Sequence, residues 1–311
     1  MMSTNADSTR TDPVVEPAVA QAADPERAAG TGRRNTVVTR FWAQRQSRLG
    51  VALTALVVLV AFLGPLLLPW ATGYTQTEFA DRPFQGSGVF GTDDLGRDVL
   101  SRFLAGGVSL LLYSVLATAL GMFLGLLFGM VSAYVGGALD SVIMRANDVL
   151  LAIPQLVFAL LAITVLGPQP WVLVTVIAIT HAPRIARVAR SAALGVINED
   201  YIRAAEMYAM PRARILFREI LPNITGPLAV EAGLRLTYSI GSIASLSFLG
   251  LGMQPPAADW GLMINENRIA LAVQPWGVML PVLAIAILTI GTNLIADAIA
   301  RASATANIGD A

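Results

Sequence analysis

The polar residues that could do chemistry in this sequence fall into a few spaced groups. Arg145 and Asp148 are three apart, Glu231 and Arg235 are four apart, and Asn293, Asp297 and Arg301 recur every fourth residue. Each group sits in an apolar stretch, where charge is expensive and marks a functional position by default. Spacings of three and four put the members on one helix face, where opposite charges pair. All three groups also fall within a turn or two of one end of their stretch, where long side chains reach the boundary. Local pairing along a helix is one reading. A proton or ion relay is the other, but it would need charges continuing into the far half of each stretch, and none do. A longer polar insert runs from Asp200 to Asn223, with Arg203, Arg212, Arg214 and Arg218 in it and membrane-length apolar segments on both sides. It reads as a docking element, something a partner touches.

Much chemistry is excluded by what is missing. The chain has no Cys and one His, His181. That removes disulfides, thiolate metal sites, a Cys nucleophile and a multi-His metal centre. The scattered carboxylates offer no nucleophile–base set. Every basic residue is Arg, so the Lys that a phosphate-binding P-loop requires is absent. If ATP powers this protein, another chain binds it. Formal net charge is zero, so nothing points to nucleic acid.

The elements that carry these residues are those of a membrane protein. Charged residues make up 14% of the chain, against roughly 25% in soluble domains. Crossing a hydrocarbon core takes about 20 apolar residues in a helix. Gly50–Trp70, Val108–Tyr134, Val142–Leu166, Ile224–Leu249 and Trp276–Ala298 fit, Val142–Leu166 with Pro154 inside it. Trp171–Ala182 is short, and its helix is expected to run on through Pro183 toward Arg190. The expectation is an all-α polytopic protein with six transmembrane helices.

Arg asymmetry sets the orientation. Arg33, Arg34, Arg40, Arg45 and Arg48 precede the first span, and the insert between the fourth and fifth is Arg-rich. Both belong in the cytoplasm, and with six spans both termini face inward. Residues 1–38 have no apolar periodicity and read as a disordered cytoplasmic tail. Residues 39–107 hold the first span and an outer loop. Residues 108–301 hold the remaining spans, with the insert over 198–223, and 302–311 form a short tail.

Further features stand out. Ala117, Gly121, Gly125, Gly129 and Ala133 form a stripe of small residues along the second span, which lets another helix approach closely. Internal packing explains it, and so does an interface that slides during transport. In the outer loop, Thr92, Asp93 or Asp94 would cap a helix whose apolar face, Val99, Leu100, Phe103 and Leu104, could lie at the membrane surface. In the insert, Asn198 or Asp200 would cap a helix through about Tyr208. Met210-Pro211 would break it, and Pro211 would start a second helix that Leu221-Pro222 ends. The small Ala204, Ala205 and Ala209 would form a face for a partner.

Three of these segments, in order, resemble one family. Ala204-Ala205, Ala209 and Leu221-Pro222 resemble the EAA loop of ABC importer permeases. Gly91-Thr-Asp-Asp-Leu-Gly-Arg-Asp-Val-Leu-Ser-Arg102 and Leu246-Ser-Phe-Leu-Gly-Leu-Gly-Met-Gln-Pro-Pro256 resemble the C-type permease subunit of dipeptide, oligopeptide and nickel importers. The resemblance covers roughly Arg40–Arg301. It implies the type I importer permease fold, pairing with a homologous second permease, two ATP-binding subunits that hold ATP and Mg, and an extracytoplasmic substrate-binding protein. It implies no cofactor, metal or catalytic residue in this chain and a place in the bacterial inner membrane. Carried over, the ATPase-coupling helix is Arg203, Ala204, Ala205, Glu206, Ala209, Met210 and Pro211, and Gly121, Gly125 and Gly129 serve helix packing. Three positions depart from the family pattern. Arg203 replaces a Glu, Ala209 replaces a Gly that would adopt a left-handed backbone easily, and Ile243 replaces a Glu.

Two rivals predict different outcomes. An ion-coupled transporter working alone would want charged sites near the midplane and would transport without an ATPase. A membrane enzyme would hydrolyse a peptide by itself.

Overall fold

The computed structural model describes residues 38–86 and 88–308. Apart from Val38, the tail expected over 1–38 lies outside them. Regular structure among the described residues is helical, with two isolated bridges, Phe79 with Arg97 and Thr92 with Asp98. The helices are α1 (Arg45–Ala71), α2 (Val99–Ala105), α3 (Gly107–Val135), α4 (Gly137–Ala152), α5 (Gln155–Leu166), α6 (Pro170–Ile197) and α7 (Asp200–Met207), then α8 (Thr225–Phe248), α9 (Trp260–Asn267) and α10 (Trp276–Ile308). Between α7 and α8 the chain winds through a turn at Arg212–Arg214, a π-helical turn at Ile215–Ile220 and a last turn at Leu221–Asn223.

Among the described residues, Arg45–Leu67, Val99–Val135, Pro170–Ile197 and Trp276–Ala304 are the four stretches long and apolar enough to cross a membrane. Six straight spans are therefore not what the helices display. The expected third span is broken: α4 and α5 meet at 88°, and only as a bent pair do they make a fifth crossing. The cause is local. Proline disfavours the helical region for the residue before it, and Ile153 is extended at φ −87°, ψ 126°. α8, at 24 residues, is about 36 Å long, but Glu231, Arg235 and a run of Ser and Thr dilute its apolar character. The short candidate did extend. α6 continues through Pro183 to Ile197. α10 runs to Ile308, so the stretch from 302 begins as helix rather than as a separate tail.

The most extensive packing joins α3 to α6. Its seam is the small-residue stripe. A Cβ on Gly125 would stand 2.5 Å from the Ile185 Cβ and 2.7 Å from the Ala182 carbonyl. One on Gly129 would strike the Ala186 carbonyl, and one on Gly121 would crowd the Ala178 carbonyl at 3.2 Å. The stripe thus serves packing within this chain. Around the seam lies one large apolar core to which α1, α5, α8, α9 and α10 contribute. A second, smaller core closes the other end of α3 and α6.

Next to α2 the loops before α2 and after α8 are tied by buried charge. Asp93, fully buried, accepts from the Leu95 and Arg97 amides, from Arg97 Nε at 2.7 Å and from Arg102 Nη1 at 2.8 Å. Arg102, also fully buried, reaches on to Glu266 at the end of α9. Burial raises the Glu266 carboxyl above its usual range, against the pull of Arg102 and Arg97. The cap of α2 is Asp98, whose side chain accepts from the Ser101 amide, not Thr92, Asp93 or Asp94. Of the apolar face expected at the membrane surface, Val99 is fully buried, while Leu100, Phe103 and Leu104 are half-buried. Trp260 completes the joint: its indole donates to the Phe103 carbonyl at 2.8 Å and its ring stacks on Phe103.

The paired charges are only partly those expected. Glu231 and Arg235 do meet along α8 at 2.8 Å, buried. Asp148 instead pairs across to Arg187 of α6, because the bend at Pro154 turns α4 against that helix. Arg301 reaches Gln44 and Gln46 near α1.

Two substitutions test this packing. Gly125→Leu forces overpacking that typically costs about 1–3 kcal/mol. It should lower the melting temperature of the purified chain itself, with no partner present, while Gly195→Ala, which meets nothing within 4 Å, should not. Asp93→Ala leaves Arg97 and Arg102 buried without their main partner, a loss of about 3–5 kcal/mol for broken buried pairs. Limited proteolysis should then cut within 72–106, where the native chain resists.

Candidate functional site

The expected coupling segment folds as two faces. α7 starts after Glu199, with no side-chain cap; Asn198 donates back to the Leu194 carbonyl, and the Asp200 carboxylate points to solvent near Arg203. Ile202 and Ala205 turn inward and are buried. They pack in the second core with Ala189 and Ala193 of α6, Ala133 of α3, and Ile215 of the π-helical turn.

The end of α7 has the hydrogen bonds of a Schellman motif. The Met210 amide donates to the Ala205 carbonyl at 3.1 Å, and the Ala209 amide to the Glu206 carbonyl at 2.9 Å. That motif needs a left-handed residue, usually Gly, and Ala209 takes the position with φ +52°. The left-handed turn is thus made by a non-Gly residue, at the expense of strain. Met210 packs beside Ala205 in the same core, the apolar contact that accompanies the motif. Pro211 then precedes the turn at Arg212–Arg214, as expected, but Leu221-Pro222 does not end the helix; the chain stays helical to Asn223.

This places the residues taken from the resemblance. Arg203, Glu206, Ala209 and Pro211 are exposed, Ala204 and Met210 half-buried, and Ala205 buried. Ala205 is therefore small because this chain packs against it, which corrects its assignment to a partner-facing surface. The outward crest instead includes Met207 and Tyr208, 82% and 81% exposed. Sequence reading passed over both. Their signal was available: with Ile202 and Ala205 inward, a helical period turns the large apolar residues at 207 and 208 outward. Gly121, Gly125 and Gly129 lie together in the α3–α6 seam, away from the crest.

No catalytic or metal constellation forms among the described residues. Asp93, Asp94 and Glu266 bring carboxylates close together, but Arg97 and Arg102 bond into the middle of them, which makes an ion-pair network. His181 is fully buried in the seam, and neither ring nitrogen has a hydrogen-bond partner among the described residues. Thr118 donates to Ser239 at 2.9 Å, joining α3 to α8.

Comparison with known proteins agrees with this architecture. The family described as binding-protein-dependent transport system inner membrane component matches residues 121–306. The oligopeptide transport system permease protein OppC of Bacillus subtilis is 31% identical over 284 residues, covering 91% of this chain and 93% of that protein. The dipeptide transport system permease protein DppC of Alkalihalophilus pseudofirmus is 34% identical over 251 residues, covering 80% and 82%. A chain of the MetNI methionine ABC transporter, solved in inward-facing conformations, superposes with a TM-score of 0.51 at 17% identity, covering 65% of this chain and 96% of that chain. The fold is thus that of an ABC importer permease, a multi-pass membrane subunit, and this chain belongs to the family of binding-protein-dependent transport system inner membrane components.

Proposed function

We propose that this chain is half of the translocation pathway of an ATP-driven importer for di- or oligopeptides in the bacterial inner membrane. A homologous permease completes the pathway. Two separate ATPase chains bind ATP and Mg, and an extracytoplasmic binding protein delivers the substrate. Both termini and the α7 crest face the cytoplasm, in keeping with the Arg-rich insert. The relatives named for oligopeptides and dipeptides support the peptide class. A related solute such as nickel is the other cargo that the resemblance allows.

The observation that carries the coupling role is the two-faced build of α7. One face is locked into the core that closes α3 and α6, and the other raises Met207 and Tyr208 into the open. A partner gripping that crest pulls directly on the inner ends of the two most tightly packed helices. The Ile215–Ile220 turn carries the same motion into α8, since Ile215 and Ile220 share that core. The ATPase groove would be apolar enough to take a Met and a Tyr side chain.

The peptide assignment is checked by uptake of a labelled dipeptide in cells with and without this chain; loss of uptake is expected on deletion. For the coupling role, Met207→Glu should leave the chain folded, because the site is exposed. It should release the ATPase on co-purification and abolish uptake. Arg212→Gln, at an exposed charge contributing about 0–1 kcal/mol, should leave both near normal. Ala205→Glu should act differently from Met207→Glu. It buries an unpaired charge at a cost of several kcal/mol, so the chain itself should fail to accumulate. Ala209→Gly relieves a left-handed alanine, worth about 1 kcal/mol. Thermal unfolding should shift upward while ATPase binding is kept.

A further inference from the structure

Three arginines follow one another down α6 at three-residue spacing, and only two are neutralised. Arg190 pairs with Asp140 at 2.6 Å, and Arg187 pairs with Asp148. Arg184, the deepest, is exposed and has no ion pair or hydrogen bond among the described residues. It stands 14 residues from Pro170, the start of α6, or about 21 Å at 1.5 Å per residue. The hydrocarbon core is about 30 Å thick. A guanidinium about 9 Å inside the nearer boundary of that core either snorkels to the boundary or faces the bundle interior or a water-filled cavity.

The surroundings of Arg184 have the same character. It lines a cavity of about 80 Å³, room for a few waters, in which Thr180 and Gln155 are the other polar residues and Pro154, Phe158 and neighbouring Leu and Ile side chains supply the rest. Pro154 is the break between α4 and α5. The break lies 12 residues below the end of α5, about 18 Å, so it is level with Arg184. Non-helical backbone at that depth is tolerated only within protein or along a wet cavity. From there the polar strip continues onto α8. Gln155 Nε2 donates to Ser242 Oγ at 3.1 Å, and Tyr238, 54% exposed, lies under the Arg235 guanidinium. On α5 the exposed surface at Leu161 and Val165 is apolar.

We propose that the strip of Arg184, Thr180, Gln155 and Ser242 is this chain's wall of a water-filled passage. Arg184 there attracts an anionic group in transit, which on the peptide reading above is a peptide carboxylate. Arg184 is then a specificity-determining residue of the pathway, and the Pro154 break makes the space for it.

The chain has no cysteine, so the test needs no knowledge of the cargo. Thr180→Cys and Ser242→Cys are made singly, with Leu161→Cys as the lipid-facing control. Membranes holding the assembled transporter are treated with anionic sulfonatoethyl or cationic trimethylammonioethyl methanethiosulfonate. Rates are taken relative to those with a free thiol. Cysteines at 180 and 242 should react and that at 161 should not. The anionic reagent should be favoured roughly fourfold, the factor one fixed charge about 10 Å away gives at the dielectric of water. Arg184→Gln should remove that preference without removing reactivity. If 180 and 242 are both silent, the strip faces lipid or is sealed by another helix, and the proposal fails. Reaction without charge preference, or a preference that survives Arg184→Gln, overturns the role of Arg184. Failure of the peptide reading looks different: dipeptide uptake would persist without the chain, whatever the thiols do.

Discussion

The close approach of α3 and α6 is the contact on which the rest of this structure depends. In a bilayer, lipid tails are as apolar as leucine, so helices associate through packing rather than through exclusion of water. Gly121, Gly125 and Gly129 let the α6 backbone come so near that any side chain there would meet Ala178, Ala182 or Ala186 carbonyls. That seam sets the level of everything on α6. It buries His181, turns Arg187 and Arg190 toward α4, and brings Ala189 and Ala193 to the base of α7.

Charge is then sorted by depth. Beside α2 the network of Asp93, Arg97, Arg102 and the largely buried Glu266 joins two segments far apart in sequence. Its worth is specificity of joining as much as stability, since desolvation consumes most of the attraction between buried ions. Inside α8, Glu231 answers Arg235. Toward the other end of α6, carboxylates from α4 answer Arg187 and Arg190. Arg184, beside a proline break, has no such partner among the described residues, and neither has Arg145 of α4.

α7 meets the ends of α3 and α6 in the second core. α7 is short, and a lone helix of that length has little stability of its own. Its rigidity comes from Ile202, Ala205 and Met210 seated in the second core, and from the Schellman turn at Ala209. Met207 and Tyr208 are thus raised on a base continuous with α3 and α6.

The sequence by itself determined the membrane class, the helical fold, the α3 stripe, the polar insert and the family, because composition, helical period and ordered motifs are local properties. The Glu231–Arg235 pair and the run of α6 through Pro183 were equally legible, each resting on contacts within one helix. What the tertiary structure decided was which side of each element faces which neighbour. Ala205 and Met207 lie two residues apart, and only the core beneath α7 says that one is inside and the other is the crest. Asp148 was assigned to Arg145 on its own helix, yet the bend at Pro154 delivers it to Arg187. The cap of α2 fell to Asp98 because Asp93 was drawn into a network with Glu266, more than a hundred residues on. In each case several local partners of similar energy were on offer. A long-range contact that sequence spacing does not encode chose among them.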